Sequence, residues 1–365
     1  MRKVLFLQSK FPTDAIDLDS LLKRWDLYGE VVNSSTNGEK IEIFSLREHL
    51  ILNSKKFLLS PGNIDLGNTV VTRLRRVINL ISSNDDNYTI VAGDNQVSLL
   101  VAILMKFRFS SRVKIQVQFH GDTYNFSVNK GPLGILRVLF SRAAIFFADS
   151  IRLVSEFQKS EIRSVSLKKN LNFVVSPIAI NFDKIPSHSS SSSIDILYVG
   201  RLHRERGIKE FVSIICQLKA IKPLLKVTVI GAGPEKRWVE DQLSKYINDG
   251  TVVFVGQVSA SALRDFYSIS RVLLSTAARE GYGLTLREAA LSGISVIARK
   301  SKGSAEAAEF YGGCIGVYET EKEAIESVNQ ALNGTFPKLS PSLKILQAKL
   351  DESSLNKLVQ SWVSN

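Results

Sequence analysis

From residue 194 onward the chain repeats one pattern: a short, nearly continuous apolar run, then a turn, then a helical stretch. Strands are expected at Ile194–Gly200 (IDILYVG), at Lys226–Gly233 (a strand, then a turn), at Val252–Gly256, at Val272–Ser275 and at Ser295–Ala298. Helices are expected between them at Ile208–Ala220, Glu235–Tyr246, Ala260–Ser268 and Leu284–Leu291. Strands that are apolar at successive positions, not at every second one, need cover on both faces. Alternating β and α units of this size supply that cover through right-handed crossovers, in a doubly wound parallel sheet. The fold class is therefore α/β. The first half carries the same pattern, with strands expected at Val4–Gln8, Ile41–Phe44, Thr89–Ala92, Lys114–Phe119 and Asn172–Val175. Its helices are expected around Leu18–Tyr28, Val70–Ile81, Gln96–Lys106 and Leu133–Phe147.

The two runs of β and α units are separated by Pro186-Ser-His-Ser-Ser-Ser-Ser-Ser193. Serine-rich sequence with no apolar anchor has nothing to pack with and suits a connector. The expected organisation is a Rossmann-like domain over 1–186, a linker over 187–193 and a second Rossmann-like domain over 194–340. C-terminal helices follow over 341–365. In that tail Ile345, Leu346, Leu350, Leu355, Leu358 and Val359 are spaced as a one-sided apolar stripe, suited to packing back toward the first domain. A chain of 365 residues has ample material for two such cores. Open parallel sheets bind ligands at the carboxyl ends of their strands, so two domains joined in this way can address one cleft.

Charge is unevenly spread. The formal net charge is +12, and residues 101–186 hold 13 Lys or Arg against 5 Asp or Glu, a net of +8. Such a field favours anionic partners, although charge of this kind also serves solubility alone. Basic residues stand beside apolar ones here: Lys106, Arg108, Arg112 and Lys114 follow one apolar helix, and Arg137 and Arg142 interrupt another. That mixture suits an anionic membrane face or a lipid diphosphate, and equally suits two helices packed on a sheet. The two cysteines, Cys216 and Cys314, have no Cys or His close in sequence, so neither a metal site nor a disulfide is expected. The opening MRKVLFLQSKFP has too short an apolar run for a signal-peptide core, and no stretch is long enough to cross a bilayer. A cytoplasmic protein, at most peripheral to the membrane, is the expectation.

Four segments carry candidate chemistry. Gly200-Arg201-Leu202-His203-Arg204-Glu205-Arg206-Gly207 sits where a buried strand ends and a helix begins. Arg201 and Arg206 there can clamp a diphosphate, because a guanidinium binds phosphate oxygens through two donors; a solvated charge run is the alternative. Val229-Ile230-Gly231-Ala232-Gly233-Pro234-Glu235 places two glycines at a strand end, which suits close backbone approach to a phosphate or simply a tight turn. It lacks the third glycine and the following acid of the dinucleotide fingerprint. In Arg279-Glu280-Gly281-Tyr282-Gly283-Leu284-Thr285-Leu286-Arg287-Glu288, two glycines flank an aromatic residue just before a helix. The N–H groups of that helix start can cradle a phosphate. Glu280 and Glu288 can accept hydrogen bonds from sugar or ribose hydroxyls, or Glu288 can serve the helix dipole. Gln118-Phe119-His120-Gly121-Asp122 follows a strand of the first half, so His120 is expected at a strand end, where it can donate to sugar or phosphate oxygens or move a proton.

Taken together these segments resemble family 4 of the glycosyltransferases, the retaining GT-B enzymes often called group 1. The resemblance rests on GRL (Gly200–Leu202) before a basic residue and Gly207, on VIGAGPE (Val229–Glu235), on FVGQV (Phe254–Val258), and above all on the E-x7-E signature from Glu280 to Glu288. FHGD (Phe119–Asp122), VSE (Val154–Glu156) and SPIAINFD (Ser176–Asp183) are similar to motifs of the family's first half. The resemblance implies two Rossmann-like domains facing a cleft and transfer of a sugar from a nucleotide-diphosphate donor with retention, without metal or cofactor. It also implies the roles. Arg201 and Arg206 would neutralise the departing diphosphate. Glu280 would hold donor-sugar hydroxyls, Gly281, Tyr282, Gly283, Leu284 and Thr285 would meet sugar and phosphate, and Glu288 would bind the ribose. Gly231 and Gly233 would belong to the donor site, Gln257 and Val258 would meet the base, and His120 would contact the donor sugar. Asp14 and Asp122 would lie on the acceptor side. Two departures stand out. Arg206 replaces the usual lysine of the clamp, and Ser9-Lys10-Phe11-Pro12-Thr13-Asp14 stands where family members often carry a glycine-rich loop.

The implied acceptor is a glycan or a lipid-linked glycan, as in surface polysaccharide synthesis. Two other classes fit the same sequence: a GT-B sugar-nucleotide epimerase or hydrolase, which needs no acceptor, and a non-catalytic glycan or nucleic-acid binder. The last lacks any recognition motif or interleaved aromatic stripe, so no nucleic acid is expected.

Overall fold

A computed structural model describes residues 2–7, 70–93, 96–119, 124–125, 131–180, 193–337 and 339–363. The chain forms two compact units, Met1–Pro177 with Asp351–Asn365, and Ile178–Leu350.

In the first unit the described strands are β1 (Arg2–Leu7), β2 (Asn87–Gly93), β3 (Val113–Gln118), β4 (Ser150–Leu153) and β5 (Phe173–Val175), paired in that order and all parallel. Helices Val70–Ser82, Gln96–Arg108, Gly131–Phe147 and Glu156–Val165 fall between them. Strand β4 and helix Glu156–Val165 go beyond the sequence expectation. The strand is only four residues long and has Arg152 in its middle, which breaks the apolar run that marks a buried strand. The structure buries that guanidinium, whose Nη2 donates to the Ser176 carbonyl at 2.8 Å. The helix after it starts on Ser155, whose hydroxyl accepts from the Gln158 N–H. The expected elements Leu18–Tyr28 and Ile41–Phe44 lie outside the described residues, as does the serine run up to Ser192.

The tail is one continuous helix, Pro341–Val363. Its last part belongs to the first unit. There Trp362 is fully buried, its indole N–H donates to Gln116 Oε1 at 2.7 Å, and its carbonyl accepts from Thr89 Oγ1 at 2.7 Å. Its first part belongs to the second unit, where Gln347 Oε1 accepts from the Tyr311 hydroxyl at 2.7 Å.

The second unit is built on β6 (Ile194–Val199), β7 (Val227–Ile230), β8 (Val252–Gly256), β9 (Ser270–Ser275), β10 (Ser295–Arg299) and β11 (Ile315–Tyr318). They pair in the order β11-β10-β9-β6-β7-β8, all parallel. This is the doubly wound arrangement, with the strand order reversing between β6 and β9. The expected continuous run of apolar positions has the expected cause. Ile196 and Tyr198 of β6 pack into one core layer, with Phe211, Ile215, Val229 and Leu274. Ile194 and Leu197 pack into the other, with Leu273, Leu286, Val296 and Ile315. Strand β11 and helices Lys302–Phe310 and Glu321–Leu332 were not expected. The strand is four residues with Gly316 and a half-covered middle. Helix Lys302–Phe310 carries a glycine that weakens its propensity. Both helices instead start on strong caps: Ser301 with Ser304 in a reciprocal capping box, and Thr320 accepting from the Glu323 N–H. The expected helix Glu235–Tyr246 divides into Lys236–Gln242 and Ser244–Asn248.

Among the described residues no helix is long and apolar enough to cross a membrane, and no cluster of three or more His, Cys, Asp or Glu could hold a metal ion. Cys314 is buried and Cys216 is half-buried, and both are free thiols.

Candidate functional site

The site elements of the second unit gather at the carboxyl edge of its sheet, in the loops after β6, β7, β9 and β10. This follows from topology, because every strand is parallel and so every such loop opens at the same edge. The loops after β6 and β9 flank the point where the strand order reverses, the place where open α/β sheets bind ligands.

The loop after β6 runs through a 3₁₀ turn at Arg204–Arg206, started by His203. It is tied to the loop after β9 by the Thr276 hydroxyl, which donates to the Arg206 carbonyl at 2.9 Å. That tie brings Arg206 and Glu280 together: Arg206 Nη1 lies 2.8 Å from Glu280 Oε2, with the carboxylate mostly covered. A charge-assisted pair of this kind is short and orienting. Beside it, Tyr198 at the end of β6 donates to the Arg201 carbonyl at 3.3 Å. Burial pushes its hydroxyl up to about 12; the Arg206 charge offsets this and the Glu280 charge adds to it. Arg201 stands apart from this pair. Its side chain is two-thirds exposed, with Glu205 at 3.9 Å. Of the two sequence-designated clamp residues, then, one is held by a carboxylate and the other faces solvent.

Gly231 and Gly233 have an explanation within the protein. A Cβ on Gly231, which has φ of 139°, would stand 1.9 Å from the Gly200 carbonyl oxygen, and one on Gly233 would stand 2.2 Å from the Leu202 carbonyl oxygen. Their missing side chains let the loops after β6 and β7 lie against each other, with Leu202 N–H bonded to the Ala232 carbonyl and Glu235 N–H to the Leu202 carbonyl. The Gly231 N–H is occupied by the Gly256 carbonyl at 2.8 Å. The tight turn, one of the two readings open in the sequence, is present at these glycines. They shape the wall that carries Arg201 and Arg206.

Glu280 is held from behind as well. Its carbonyl accepts the Gly303 N–H at 3.1 Å, at the start of helix Lys302–Phe310. A Cβ on Gly303 would stand 2.1 Å from that same oxygen. Tyr282 is buried between half-covered Gly281 and buried Gly283. Arg287 fixes it: the buried guanidinium lies 4.2 Å over the Tyr282 ring, and its Nε donates to the Tyr282 carbonyl at 3.0 Å. Gly283 then turns the chain with φ of 72° and starts helix Leu284–Leu291, which has no side-chain cap and no acid in its first turn. The Leu284 and Thr285 N–H groups are at an uncapped helix start, which is where an anion is favoured.

Glu288 lies beyond that first turn, so the helix dipole does not explain it. Its oxygen meets the Tyr267 hydroxyl at 3.4 Å. Burial pushes its carboxyl up to about 7, partly offset by that hydrogen bond and by Arg264. Burial also raises the Tyr267 hydroxyl well above its usual range. Gln257 is exposed in the loop after β8, and half-buried Val258 packs on the core layer that also receives Leu284. His120, Asp122 and Asp14 lie outside the described residues.

Sequence reasoning missed Tyr198, Tyr267, Thr276, Arg287 and Gly303. Only Arg287 left a signal, a lone cation among the apolar residues of LTLREAAL. The others read as ordinary strand, helix or turn residues, and only the packing brings them to Arg206, Glu280 and Glu288.

Residues 181–344 match the family model described as Glycosyl transferases group 1. The fold of the chain is the GT-B α/β fold. The sucrose-phosphate synthase of Thermosynechococcus elongatus superposes with a TM-score of 0.68 at 15% identity, over 99% of this chain and 95% of that one. Anabaena Alr3699/HepE, solved in complex with UDP-glucose, superposes with a TM-score of 0.68 at 14% identity, over 98% of each chain. In sequence, the phosphatidylinositol N-acetylglucosaminyltransferase gpi3 subunit of Schizosaccharomyces pombe is 27% identical over 150 residues, 41% of this chain and 33% of that protein. The similarity thus spans about a third of that curated relative's length.

Proposed function

We propose that the protein is a retaining glycosyltransferase, moving a sugar from a nucleotide-diphosphate donor to a glycan or lipid-linked acceptor in surface polysaccharide synthesis. The observation that carries this reading is the pair Arg206–Glu280, set beside an uncapped helix start and the half-buried Glu288 at one sheet edge. The match to group 1 glycosyl transferases over the same residues supports it, as does the GT-B likeness to a protein solved with UDP-glucose.

In this reading the bond from the anomeric carbon to the diphosphate oxygen breaks, and a bond from that carbon to the acceptor oxygen forms on the same face. The acceptor hydroxyl gives its proton to the departing diphosphate oxygen, and the nucleoside diphosphate leaves with it. Arg201 and the donors of Arg206 not engaged by Glu280 neutralise the leaving diphosphate, the electrostatic task that metal ions perform elsewhere. No cofactor is assigned. The N–H groups of Leu284 and Thr285 meet phosphate. Glu280, oriented by Arg206, accepts from donor-sugar hydroxyls, and Glu288 accepts from the ribose. Gln257 and Val258 meet the base. His120 remains assigned to the donor sugar, and Asp14 and Asp122 to the acceptor side.

The test is a thermal-shift screen against UDP-, GDP- and ADP-sugars, starting with UDP-glucose. Ligand at about 100 times its Kd adds roughly 2.7 kcal/mol to the stability of the binding unit. Glu280→Ala should lower turnover by about 100-fold or more while the fold persists, as losses of site electrostatics do. No shift with any nucleotide sugar overturns the reading. Release of free or epimerised sugar without an acceptor assigns the chain to the epimerase or hydrolase class, and binding without turnover assigns it to the binding proteins.

A further inference from the structure

Helix Gly131–Phe147 of the first unit is mostly apolar, with Arg137 and Arg142 as its only charged residues. Its buried residues, Val138, Ser141, Ala144 and Ile145, lie on one stripe. The rest of the helix turns large apolar side chains to solvent. Leu133 is 80% exposed and Leu139 53%, with Ile135, Leu136 and Phe146 about half exposed. The neighbouring helix Gln96–Arg108 extends this surface. Phe107 is 66% exposed, and its ring meets Phe147 edge-on at 5.0 Å. Clustered exposure of this kind differs from the scattered apolar residues of an ordinary surface and marks an interaction face.

The charges carried by its two helices are all of one sign. The two helices, QVSLLVAILMKFR and GPLGILRVLFSRAAIFF, contain no Asp or Glu. Of their four basic residues, Lys106 is engaged by Asp149 at 2.8 Å and Arg142 Nε by the Tyr124 carbonyl at 3.3 Å. Arg108 and Arg137 are exposed beside the apolar side chains. We infer that this face docks on an anionic lipid surface, with Leu133, Leu136, Leu139 and Phe107 entering the headgroup–acyl boundary and Arg108 and Arg137 meeting lipid phosphates. Apolar anchors with a cationic margin and no acid are what such a surface selects. A second copy of the chain fits less well, because a two-fold contact brings both sets of arginines into one interface with no carboxylate from either helix to pair with them. The inference concerns the first unit and does not rest on the proposed glycosyl transfer.

The experiment is flotation of the full chain with phosphatidylcholine vesicles, with and without about one third phosphatidylglycerol. The chain should float with the anionic vesicles and much less with the neutral ones, and added salt should weaken binding. Arg108→Ala with Arg137→Ala should lower the partition coefficient about 20–30-fold, and Leu136→Ser with Leu139→Ser at least about tenfold. All four side chains are exposed, and an unchanged melting profile confirms that each variant is folded. The inference is overturned if the wild-type chain floats with neither vesicle, or with both alike, or if the variants float as the wild type does. It is also overturned if sedimentation shows a dimer that Leu136→Ser with Leu139→Ser dissociates while vesicle binding stays absent.

Discussion

Glu288 shows how one position can carry both a structural cost and a proposed task. Burial pushes its carboxyl up from 4.5 to about 7. Between those pH values the folded chain holds a proton that the unfolded chain has released, so stability falls as pH rises through that window. The full span corresponds to about 3 kcal/mol. Urea unfolding of the apo protein should therefore give a higher midpoint at pH 5 than at pH 8. Glu288→Gln, which never ionises, should lose this dependence and exceed the wild type at pH 8. Equal pH dependence in the two proteins would place its source elsewhere. The sequence placed Glu288 on the helix after the Gly-Tyr-Gly turn, at the right distance from Glu280. It gave no sign of Tyr267, which lies 21 residues earlier and reaches the carboxylate only because helix Ala260–Ser268 and helix Leu284–Leu291 pack on one core layer.

Among elements, the start of helix Lys302–Phe310 is the least expected contributor to the site. Its N–H at Gly303 holds the Glu280 carbonyl, and there is no room for a side chain between them. Gly303→Ala should cost about 1–3 kcal/mol of stability as an overpacking change. It should also displace the Arg206–Glu280 pair enough to lower turnover about 100-fold, as small misplacements of reacting groups do. Ser301→Ala, which removes the capping hydroxyl of the same helix, should cost about 1 kcal/mol with a much smaller loss of turnover. Steady-state rates at saturating donor, set against melting temperatures, separate the two. Wild-type turnover in Gly303→Ala would remove this helix from the site. The strong strands and helices of the second unit were legible because their apolar runs are long and uninterrupted. The short β4 and β11 were not, since a buried arginine breaks one and a glycine followed by an exposed valine thins the other.

On the scale of the whole chain, two units share one helix. Trp362, near its end, fills the first unit and bonds through Gln116 and Thr89 to its central strands. Trp362→Ala should cost that unit about 3–5 kcal/mol, as large-to-small changes in a core do. In calorimetry the transition of the first unit should move down while that of the second stays in place, and nucleotide sugar should raise the second alone. A single transition that moves as one would instead mean that the units unfold together. The apolar stripe of the tail leads to the expectation that it packs back toward the first domain, and its last part belongs to the first unit.

The sequence by itself determined the α/β class, the parallel sheets and the stretch from 194 to 300 where the motifs lie, because these follow from local periodicity and from turns at strand ends. It also chose Arg206, Glu280 and Glu288 as the residues to watch. Only the tertiary structure decided how they are used. It paired Arg206 with Glu280, left Arg201 in solvent, raised the Glu288 carboxyl by burial, and packed Gly231 and Gly233 against the loop after β6. Those outcomes depend on contacts between residues up to 74 positions apart, and the distance and dielectric at such contacts are set by the packed fold, where no local pattern records them.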